Sequence, residues 1–345
     1  MLLKEIKEVF LRWRADLQPF LDTWRCLSSI RHIHGPKRIW YKKNEVVVIC
    51  LVRNGSAYIK SFVEHYFSLN VKHIVFLDNN SDDNTVALAG QYNNITILST
   101  NIPLGSDYNK DEIIFKRYLA QKFCRNRWCL SVDIDELFDY PSSNVFKFNA
   151  LLAYLNANSY TAVISQMLDM FSDKPLNELN KIEDVPIKDG YKYYDISDVL
   201  KQGYFEETGE LLKGNVLTNK NIKFYAGGIR KTIFGTYNWL TKHQLFFVNS
   251  VRITHPHCVS NARCADFTAV CLHYKFIYNY YDTILEYVKS GYGTQRDYIP
   301  IETKCRNNPQ LSFKRETAQK FNSVNELIEN GFLVVSQEYL DIARV

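Results

Sequence analysis

The stretch EVVVICLVRNG, residues 45–55, is the clearest indication of the fold of this 345-residue chain. It joins a β-branched run of strand length, Val46–Val52, to a polar turn. Further runs of strand length alternate with segments of helical spacing: His73–Leu77, Ile95–Leu98 and Trp128–Val132 for the strands, and Ala57–Leu69, Thr85–Tyr92 and Glu112–Cys124 for the helices. This alternation predicts an α/β fold with a Rossmann-like, mostly parallel sheet and helices on both faces.

Polar clusters follow three of these predicted strands at the point where each strand ends. They are Arg53–Gly55, Asp78–Asp83 and Asp133–Glu136. Ligands of doubly wound sheets bind outside the carboxyl ends of the strands. We therefore expect the three clusters to meet at one edge of the sheet and to form a site.

The order is less regular beyond Pro141. Leu151–Leu155 has helical spacing and Ala162–Met167 has the pattern of a strand, whereas residues 171–222 are polar, rich in tyrosine and typical of loops. Long irregular segments of this kind are often functional. Four segments are predicted: a helix with a basic linker (1–43), the first half of the sheet domain (44–140), its second half (141–281) and a helical tail (282–345).

Composition excludes several classes of protein. The chain is 46% hydrophobic and 23% charged, which is ordinary for a globular protein and excludes disorder and low complexity. Its longest apolar run is far shorter than the roughly 20 residues that cross a membrane. The first residues lack the apolar centre of a signal peptide. None of the eight cysteines forms a C-x-x-C pair, so we expect free thiols and a cytoplasmic protein, soluble or peripheral at the inner membrane face.

Basic residues are unevenly distributed along the chain. Residues 1–43 hold ten Lys and Arg against four Asp and Glu, and residues 211–265 hold eight Lys and Arg without any acid. The simplest use of such a stretch is to meet an anion, such as a diphosphate, an acidic polymer, nucleic acid or a lipid headgroup. The alternative is a basic face in contact with solvent.

Residues 1–30 carry one continuous apolar stripe at helical spacing. It consists of Leu3, Ile6, Phe10, Trp13, Leu17, Phe20, Trp24 and Leu27. Pro19 should kink this amphipathic helix or end its first half. The stripe has three candidate partners: the core of the same molecule, a second copy of the chain, or a membrane surface. Residues 31–43, RHIHGPKRIWYKK, are predicted to be a basic linker.

The strongest chemical motif is SVDIDE, residues 131–136, directly after a predicted strand. Asp133 and Asp135 can turn toward one point if the strand ends there. Three acids within four residues repel one another and are most stable around a divalent cation. Carboxylate ligands favour Mg²⁺ or Mn²⁺, which in turn bind phosphate oxygens. The alternative is a solvated acidic turn.

A second motif, DNNSDDNT, covers residues 78–85. Asp78 can accept a hydrogen bond from a ribose hydroxyl or from the N–H of a base. The alternative is a plain turn with a helix cap, because Asp, Asn and Ser favour both.

Two later motifs add candidates for binding a metal or a phosphate. LHYKF, residues 272–276, offers His273 as a third metal ligand and Lys275 as a phosphate contact. A lone histidine is nevertheless more often structural than a ligand. GGIRK, residues 227–231, offers Arg230, whose planar guanidinium suits a phosphate.

Together these motifs resemble the family 2-like glycosyltransferases of the GT-A fold over roughly residues 44–140, with a weaker likeness over 160–280. VVICLVRNGSAYIKSFVEHY is similar to their first strand and helix, FLDNNSDDNT to their nucleoside-binding element, and WCLSVDIDELF to their D-x-D strand end. QMLDMF, GGIRKTIFG and LHYKF are similar to a bacterial subgroup with a D-x-D-E and a late H-Y motif. The chain departs from the family where DNNS replaces D-D-G-S.

The resemblance implies metal-dependent transfer of a sugar from a nucleotide-sugar donor, with a UDP-sugar favoured, to a hydroxyl of a glycan or lipid-linked acceptor. Residues 44–140 would bind the donor, and 141–281 the acceptor and the diphosphate. Asp133, Asp135 and His273 would hold Mn²⁺ or Mg²⁺. The expected donor contacts are Val52, Arg53, Asn54, Asp78, Ser81, Asp133, Arg230, Lys231 and Lys275.

An inverting transfer, the mechanism favoured here, also needs a general base. The acidic pair that supplies it in many family members is not recognisable. A base between the D-x-D motif and the acid-free stretch must lie at or before Glu210. Asp169, at the end of a predicted strand, is favoured. Asp173, Glu206 and Glu207 are the alternatives. A retaining mechanism would need none of them as base.

Two other classes of protein fit parts of the pattern. A nucleotidyltransferase acting on a sugar phosphate would also use paired acids and a metal, but LVRNGSAYIK is a poor match to its glycine- and arginine-rich phosphate loop. A noncatalytic protein that binds nucleic acid or another polyanion would leave the acids at 133–136 unexplained. We therefore expect an enzyme, with no nucleic acid among its partners.

Overall fold

The computed structural model describes residues 17–102, 108–290 and 295–343. The helices are α1 (17–29), α2 (Ser56–Ser68), α3 (Thr85–Ala89), α4 (Tyr108–Phe123), α5 (Phe148–Ala157), α6 (Ile187–Gly190), α7 (Ile229–Phe234), α8 (Tyr280–Ser290), α9 (Gln295–Asn307), α10 (Glu326–Glu329) and α11 (Gln337–Ala343). The strands are β1 (Arg31–His34), β2 (Val46–Val52), β3 (His73–Asp78), β4 (Ile95–Ser99), β5 (Trp128–Ser131), β6 (Glu136–Asp139), β7 (Ala162–Asp169), β8 (Tyr193–Tyr194), β9 (Val199–Gln202), β10 (Val216–Leu217), β11 (Phe224–Gly227), β12 (Thr241–Phe247), β13 (Arg252–His255), β14 (Cys258–Ser260), β15 (Arg263–His273) and β16 (Gln319–Lys320).

Ten strands form the central sheet, in the order β1-β4-β3-β2-β5-β12-β7-β15-β10, with β6 paired to β15. The strands β4, β3, β2 and β5 are parallel to one another, as are β7, β15 and β10. Because β12 is antiparallel to both of its neighbours, β5 and β7, these two groups run in the same direction. The predicted α/β class with a mostly parallel sheet is confirmed.

Helices cover both faces of this sheet. Successive side chains of a strand point to opposite faces. Along β2, Val48 packs in one hydrophobic cluster with Phe62 of α2. Its neighbour Ile49 packs in the other cluster with Phe115 of α4. The uninterrupted apolar run of β2 is therefore what a strand buried on both faces requires.

Part of the segment that the sequence predicted as a linker is a strand. Arg31–His34 forms β1 and pairs antiparallel with β4 at the edge of the sheet. All four of its side chains are exposed. The strand is therefore held by main-chain hydrogen bonds without burying an apolar face, and its sequence lacks the alternation that would have revealed it.

Helix α1 packs against α4 with its polar side. Arg25 Nη2 donates to both carboxylate oxygens of Asp111, at 2.6 and 2.7 Å, and Asp22 is buried. Phe20 and Trp24, two members of the predicted apolar stripe, are 68% and 66% exposed. They do not dock on the core of the molecule. The stripe residues Leu3, Ile6, Phe10 and Trp13 lie outside the described residues.

The boundaries predicted at 43, 140 and 281 remain predictions. The central sheet takes strands from both predicted halves, since β2 to β6 precede residue 141 and β7, β12 and β15 follow it. All eight cysteines are buried and unpaired. Within the described ranges, every helix is too short or too polar to cross a membrane.

Candidate functional site

The carboxyl ends of β2, β3 and β5 lie side by side, because β2 is parallel to both of its neighbours. Directly beyond these ends, the main-chain N–H of Asn79 donates to the carbonyl of Val52 at 2.7 Å. The N–H of Val132 donates to the carbonyl of Ile49 at 3.1 Å. These bonds carry the pairing into the polar segments, so the three polar clusters lie at one edge of the sheet.

Gly55 lets the loop after β2 approach the D-x-D motif closely. A Cβ atom at this position would lie 2.6 Å from Cγ2 of Val52 and 2.9 Å from Cγ1 of Ile134, the residue between the two acids. Both distances are shorter than real Cβ contacts allow. The absent side chain of Gly55 therefore keeps these two loops in contact.

Asp78 ends β3 with one satisfied and one unsatisfied carboxylate oxygen. Its Oδ2 accepts from the N–H of Ser81 at 3.2 Å, and Ser81 Oγ accepts from the N–H of Asn54 at 2.9 Å. Its Oδ1 is buried and has no hydrogen-bond partner among the described residues. A buried oxygen without a partner is costly, so this atom is suited to a donor from a ligand. Arg53 Nη2 lies 3.8 Å from Glu286 Oε1 of α8.

The first acid of the D-x-D motif, Asp133, lies among buried charges. Lys242 of β12 donates to Asp133 Oδ2 at 2.6 Å and also contacts Glu136 Oε1. Lys116 of α4 lies 3.2 Å from Asp133 Oδ1 and 2.6 Å from Glu112 Oε1. We call Glu112, Lys116, Asp133, Glu136 and Lys242 the lysine cluster. Its two cations compensate most of the charge of its three acids.

In this cluster, opposite charges change the pKa values of Asp133 and Lys242 more than burial does. Burial raises the pKa of Asp133, but Lys116 and Lys242 hold the pKa of this carboxyl well below its usual range. Burial lowers the pKa of Lys242, yet Asp133 and Glu136 raise it well above its usual value. Both groups are therefore charged. Lys242 is buried and depends on its partners to remain charged, whereas the side chain of Asp133 is 34% exposed.

Both oxygens of Glu136 are occupied within the lysine cluster. Oε1 contacts Lys242, and Oε2 accepts from Gln244 Nε2 at 2.9 Å and from the N–H of Asp133 at 3.1 Å. Glu136 therefore fixes the main chain at the start of the D-x-D motif.

The second acid of the motif, Asp135, faces a histidine instead of lysines. His273 Nε2 lies 3.2 Å from Asp135 Oδ2, and His273 Nδ1 lies 2.6 Å from Asp169 Oδ1. Arg230 Nε donates to the other oxygen of Asp169 at 2.9 Å. The register explains this placement, because β15 sets His273 opposite Asp169 of β7 and Glu136 of β6. We call Asp135, Asp169, Arg230 and His273 the histidine cluster.

Both acids of the histidine cluster are held in the charged form. Burial raises the pKa of Asp169, but Arg230 and His273 outweigh it and lower the pKa to about 2. Burial also raises the pKa of Asp135, and the nearby charges of His273 and Lys275 bring it below its usual value.

The histidine cluster fits a divalent cation. Within the described ranges, Asp135, Glu136 and His273 are the residues found to bring three metal-ligating atoms within 4.8 Å of one another. A histidine that binds metal commonly donates its other ring N–H to a carboxylate, as Nδ1 can to Asp169. Burial lowers the pKa of His273, but Asp135 and Asp169 outweigh burial and raise the pKa above its usual value. Nε2 can then donate to Asp135, and a divalent cation would replace this proton between the two atoms. Since Glu136 is occupied, Asp135 and His273 are the donors best placed to receive the cation.

The remaining predicted site residues differ in their surroundings. Lys275 is half-buried, and its charge acts on Asp135. Lys231 is exposed, and its charge acts on Asp198. The predicted roles of Val52, Arg53, Asn54, Asp78, Ser81, Asp133, Asp135, Asp169, Arg230, Lys231, His273 and Lys275 remain predictions.

Sequence reasoning missed the two lysines of the lysine cluster. Glu112 and Lys116 stand four residues apart in a segment correctly predicted as helical, and their 2.6 Å ion pair joins neighbouring turns. Lys242 lies in TKHQLFF, where a lysine within a buried strand is the signal. Such a lysine needs an acidic partner, but one sequence does not say which.

Comparisons with known proteins identify no family for this chain. No family model matches it, and no curated protein sequence matches it. Among solved structures it is similar to TarS of S. aureus, with 16% identity over 36% of this chain and 22% of that one, at a TM-score of 0.28. It is similar to the mannosyltransferase PcManGT from Pyrobaculum calidifontis in complex with GDP-Man and Mn²⁺, with 16% identity over 49% of this chain and 47% of that one, at 0.26.

A third similar structure is a 4-diphosphocytidyl-2C-methyl-D-erythritol synthase, with 11% identity over 60% of this chain and 75% of that one, at a TM-score of 0.28. The chain thus spans less than a quarter of TarS and about half of the mannosyltransferase. Scores this low assign neither an activity nor a ligand to this chain.

Proposed function

We propose that this protein transfers a sugar from a nucleotide-sugar donor, with a UDP-sugar favoured, to a hydroxyl of a glycan or lipid-linked acceptor, with the aid of Mn²⁺ or Mg²⁺. One observation carries the proposal. Asp78, with its unsatisfied buried oxygen, lies at the same sheet edge as the Asp135–His273 pair. A nucleoside diphosphate offers a hydrogen-bond donor to Asp78 and phosphate oxygens to a divalent cation held by Asp135 and His273.

The nucleoside would bind at the loops after β2 and β3. Asp78 Oδ1 would accept from a base N–H or a ribose hydroxyl. Ser81 and Asn54 hold each other through the 2.9 Å bond and so shape this loop, next to Val52 and Arg53. Together these five residues form the predicted donor contacts on this side of the site.

The diphosphate would lie toward the histidine cluster. Asp135 and His273 would hold the divalent cation. Asp133 would add negative charge nearby, and its main chain, held by Glu136, would keep the motif in place. Such a cation, when bound, neutralises the negative charge that develops on the departing diphosphate. Lys275, half-buried near Asp135, would add a further positive charge.

Asp169 is better suited to positioning His273 than to acting as the general base. Both of its oxygens accept hydrogen bonds, from His273 and Arg230, and a pKa of about 2 makes it a weak base. Asp169→Asn separates the two roles. Loss of a base lowers kcat with donor binding intact, whereas loss of positioning also weakens metal-dependent donor binding.

Calorimetric titration of UDP and GDP, with and without Mn²⁺, tests the proposed function. Wild type should bind one nucleotide at micromolar concentration when the metal is present. Asp135→Asn should weaken this binding at least tenfold, and Asp341→Asn, an exposed acid elsewhere, should leave it unchanged. Absence of binding to UDP, GDP, CMP and dTDP with every metal would contradict the proposal. Pyrophosphate release from UTP and a sugar phosphate would indicate nucleotidyl transfer instead.

A further inference from the structure

Helix α1 turns its apolar face away from the protein. Phe20, Leu21 and Trp24 stand at positions i, i+1 and i+4 of the helix, and all three are exposed. Asp22 and Cys26, on the other side, are buried against the domain. A helix of a globular protein normally buries the apolar side and exposes the polar one, so this orientation leaves the apolar face available to a partner.

Exposed apolar side chains are concentrated in the segment that begins with this face. Of the twelve large hydrophobic residues that are exposed in the described ranges, five lie within residues 20–40. The two beyond α1 are Ile33 of β1 and Trp40, which is 84% exposed. The five lie on one short stretch of chain, which runs from α1 through β1 at the edge of the sheet to the segment after it. We call Phe20, Leu21, Trp24, Ile33 and Trp40 the N-terminal surface.

The charge of this stretch indicates what the N-terminal surface meets. Residues 17–43 contain six Lys and Arg but only one acid, Asp22. That acid is buried and accepts from Gln18 at 2.9 Å, so it does not offset the exposed cations. All six cations are exposed, and apart from Arg25, which pairs with Asp111, they are Arg31, Lys37, Arg38, Lys42 and Lys43.

We propose that the N-terminal surface binds an anionic lipid membrane, with α1 lying in the interface. Tryptophan and phenylalanine favour the headgroup region, and basic residues beside them are attracted to anionic lipids. A second copy of the chain fits less well, because a twofold contact sets the same patch of both copies together and would oppose their cations. The inference does not depend on the proposed transfer reaction.

Cosedimentation of the full chain with lipid vesicles tests the inference. Vesicles of neutral phosphatidylcholine are compared with vesicles that contain about a quarter phosphatidylglycerol, at low and high salt. We expect binding to the anionic vesicles to exceed binding to the neutral ones by roughly tenfold or more and to weaken at high salt.

Two pairs of variants separate the apolar and the basic contributions. Phe20→Ser with Trp24→Ser should lower binding to anionic vesicles at least tenfold, whereas Val145→Ser with Phe205→Ser, exposed elsewhere, should not change it. Lys37→Gln with Arg38→Gln should lower binding to anionic vesicles more than Lys220→Gln with Lys223→Gln, two exposed lysines elsewhere. Unchanged thermal unfolding shows that each variant is folded.

Three results would overturn the inference. They are the absence of vesicle binding by folded wild type, equal binding by wild type and the Phe20→Ser/Trp24→Ser variant, and equal binding to both vesicle types at low salt. Sedimentation velocity without lipid tests whether a second copy of the chain binds the N-terminal surface instead. A wild-type dimer that this variant converts to monomer, with no vesicle binding by either protein, would assign the N-terminal surface to a second copy.

Discussion

The two aspartates of the D-x-D motif, two residues apart, have opposite surroundings. Asp133 lies between two buried lysines, at 2.6 Å from Lys242 and 3.2 Å from Lys116. Asp135 lies 3.2 Å from His273, which is held from its other side by Asp169. The acids of the lysine cluster are neutralised by lysines of the protein itself. In the histidine cluster, by contrast, two atoms that can bind a metal ion, Asp135 Oδ2 and His273 Nε2, face each other.

This difference separates stability from ligand binding within one motif. Removal of one partner of a buried ion pair strongly destabilises a protein, because the other charge is left uncompensated. A carboxylate beside an oriented histidine can instead exchange a proton for a metal ion. We therefore expect substitutions in the lysine cluster to affect the free energy of unfolding first, and those in the histidine cluster to affect metal-dependent binding first.

Removal of Lys242 should have the largest effect on stability. Lys242→Met leaves Asp133 and Glu136 without their shared cation and should lower the free energy of unfolding by about 3–5 kcal/mol. Chemical denaturation measures it. Lys213→Met is the control, because Lys213 pairs with Glu210 at the surface and should contribute at most about 1 kcal/mol. Equal, small effects of both substitutions would show that the lysine cluster is not a structural unit.

Separate substitution of the two aspartates should show that one supports metal-dependent binding and the other supports stability. Asp135→Asn should weaken Mn²⁺-dependent nucleotide binding about 100-fold and change the free energy of unfolding by no more than about 1 kcal/mol. Asp133→Asn should lower the free energy of unfolding by at least about 2 kcal/mol, since it leaves two lysines short of a partner. Calorimetry and denaturation of both variants measure this. A reversed pattern would make Asp133 the metal ligand.

Gly55→Ala should disturb the contact that joins the loop after β2 to the motif. The new Cβ would collide with Val52 and Ile134, so we expect a loss of about 1–3 kcal/mol in the free energy of unfolding, with weaker nucleotide binding. Gly209→Ala is the matched control, because a Cβ there meets nothing within 4 Å. If Gly55→Ala is as stable as the control, the loops are not held by this contact.

Asp78→Asn should have the smallest effect. The amide keeps the shape of the carboxylate but replaces one acceptor oxygen by a donor, so nucleotide affinity should fall about tenfold, or about 1.4 kcal/mol, with little change in stability. The control Asp82→Asn alters an exposed acid of the same loop. Isothermal calorimetry with UDP compares the two variants. Equal affinities would place the nucleoside away from Asp78.

The first half of the sheet was predictable because its physical signals are local. Val46–Val52 and Trp128–Ser131 are apolar runs whose burial follows from strand length and flanking turns. Their parallel pairing placed the polar segments at one edge. The exposed β1 carries no such signal, because its side chains bury nothing and only its main chain is paired.

The partners of the acidic motif could not be predicted from the sequence. Lys242 reaches Asp133 because β12 inserts antiparallel between β5 and β7, 109 residues along the chain. His273 meets Asp169 because the register of β15 on β7 sets them opposite each other. Both contacts depend on strand order and register in the second half, where the sequence pattern is irregular.

The different roles of Asp133 and Asp135 are tested most directly by a crystal structure with UDP and Mn²⁺, in which anomalous scattering locates the metal. We expect one manganese peak between Asp135 and His273, bound to the diphosphate, with Asp133 still bonded to Lys242. A manganese peak on Asp133 with Lys242 displaced, or a nucleotide bound away from this edge of the sheet, would contradict it.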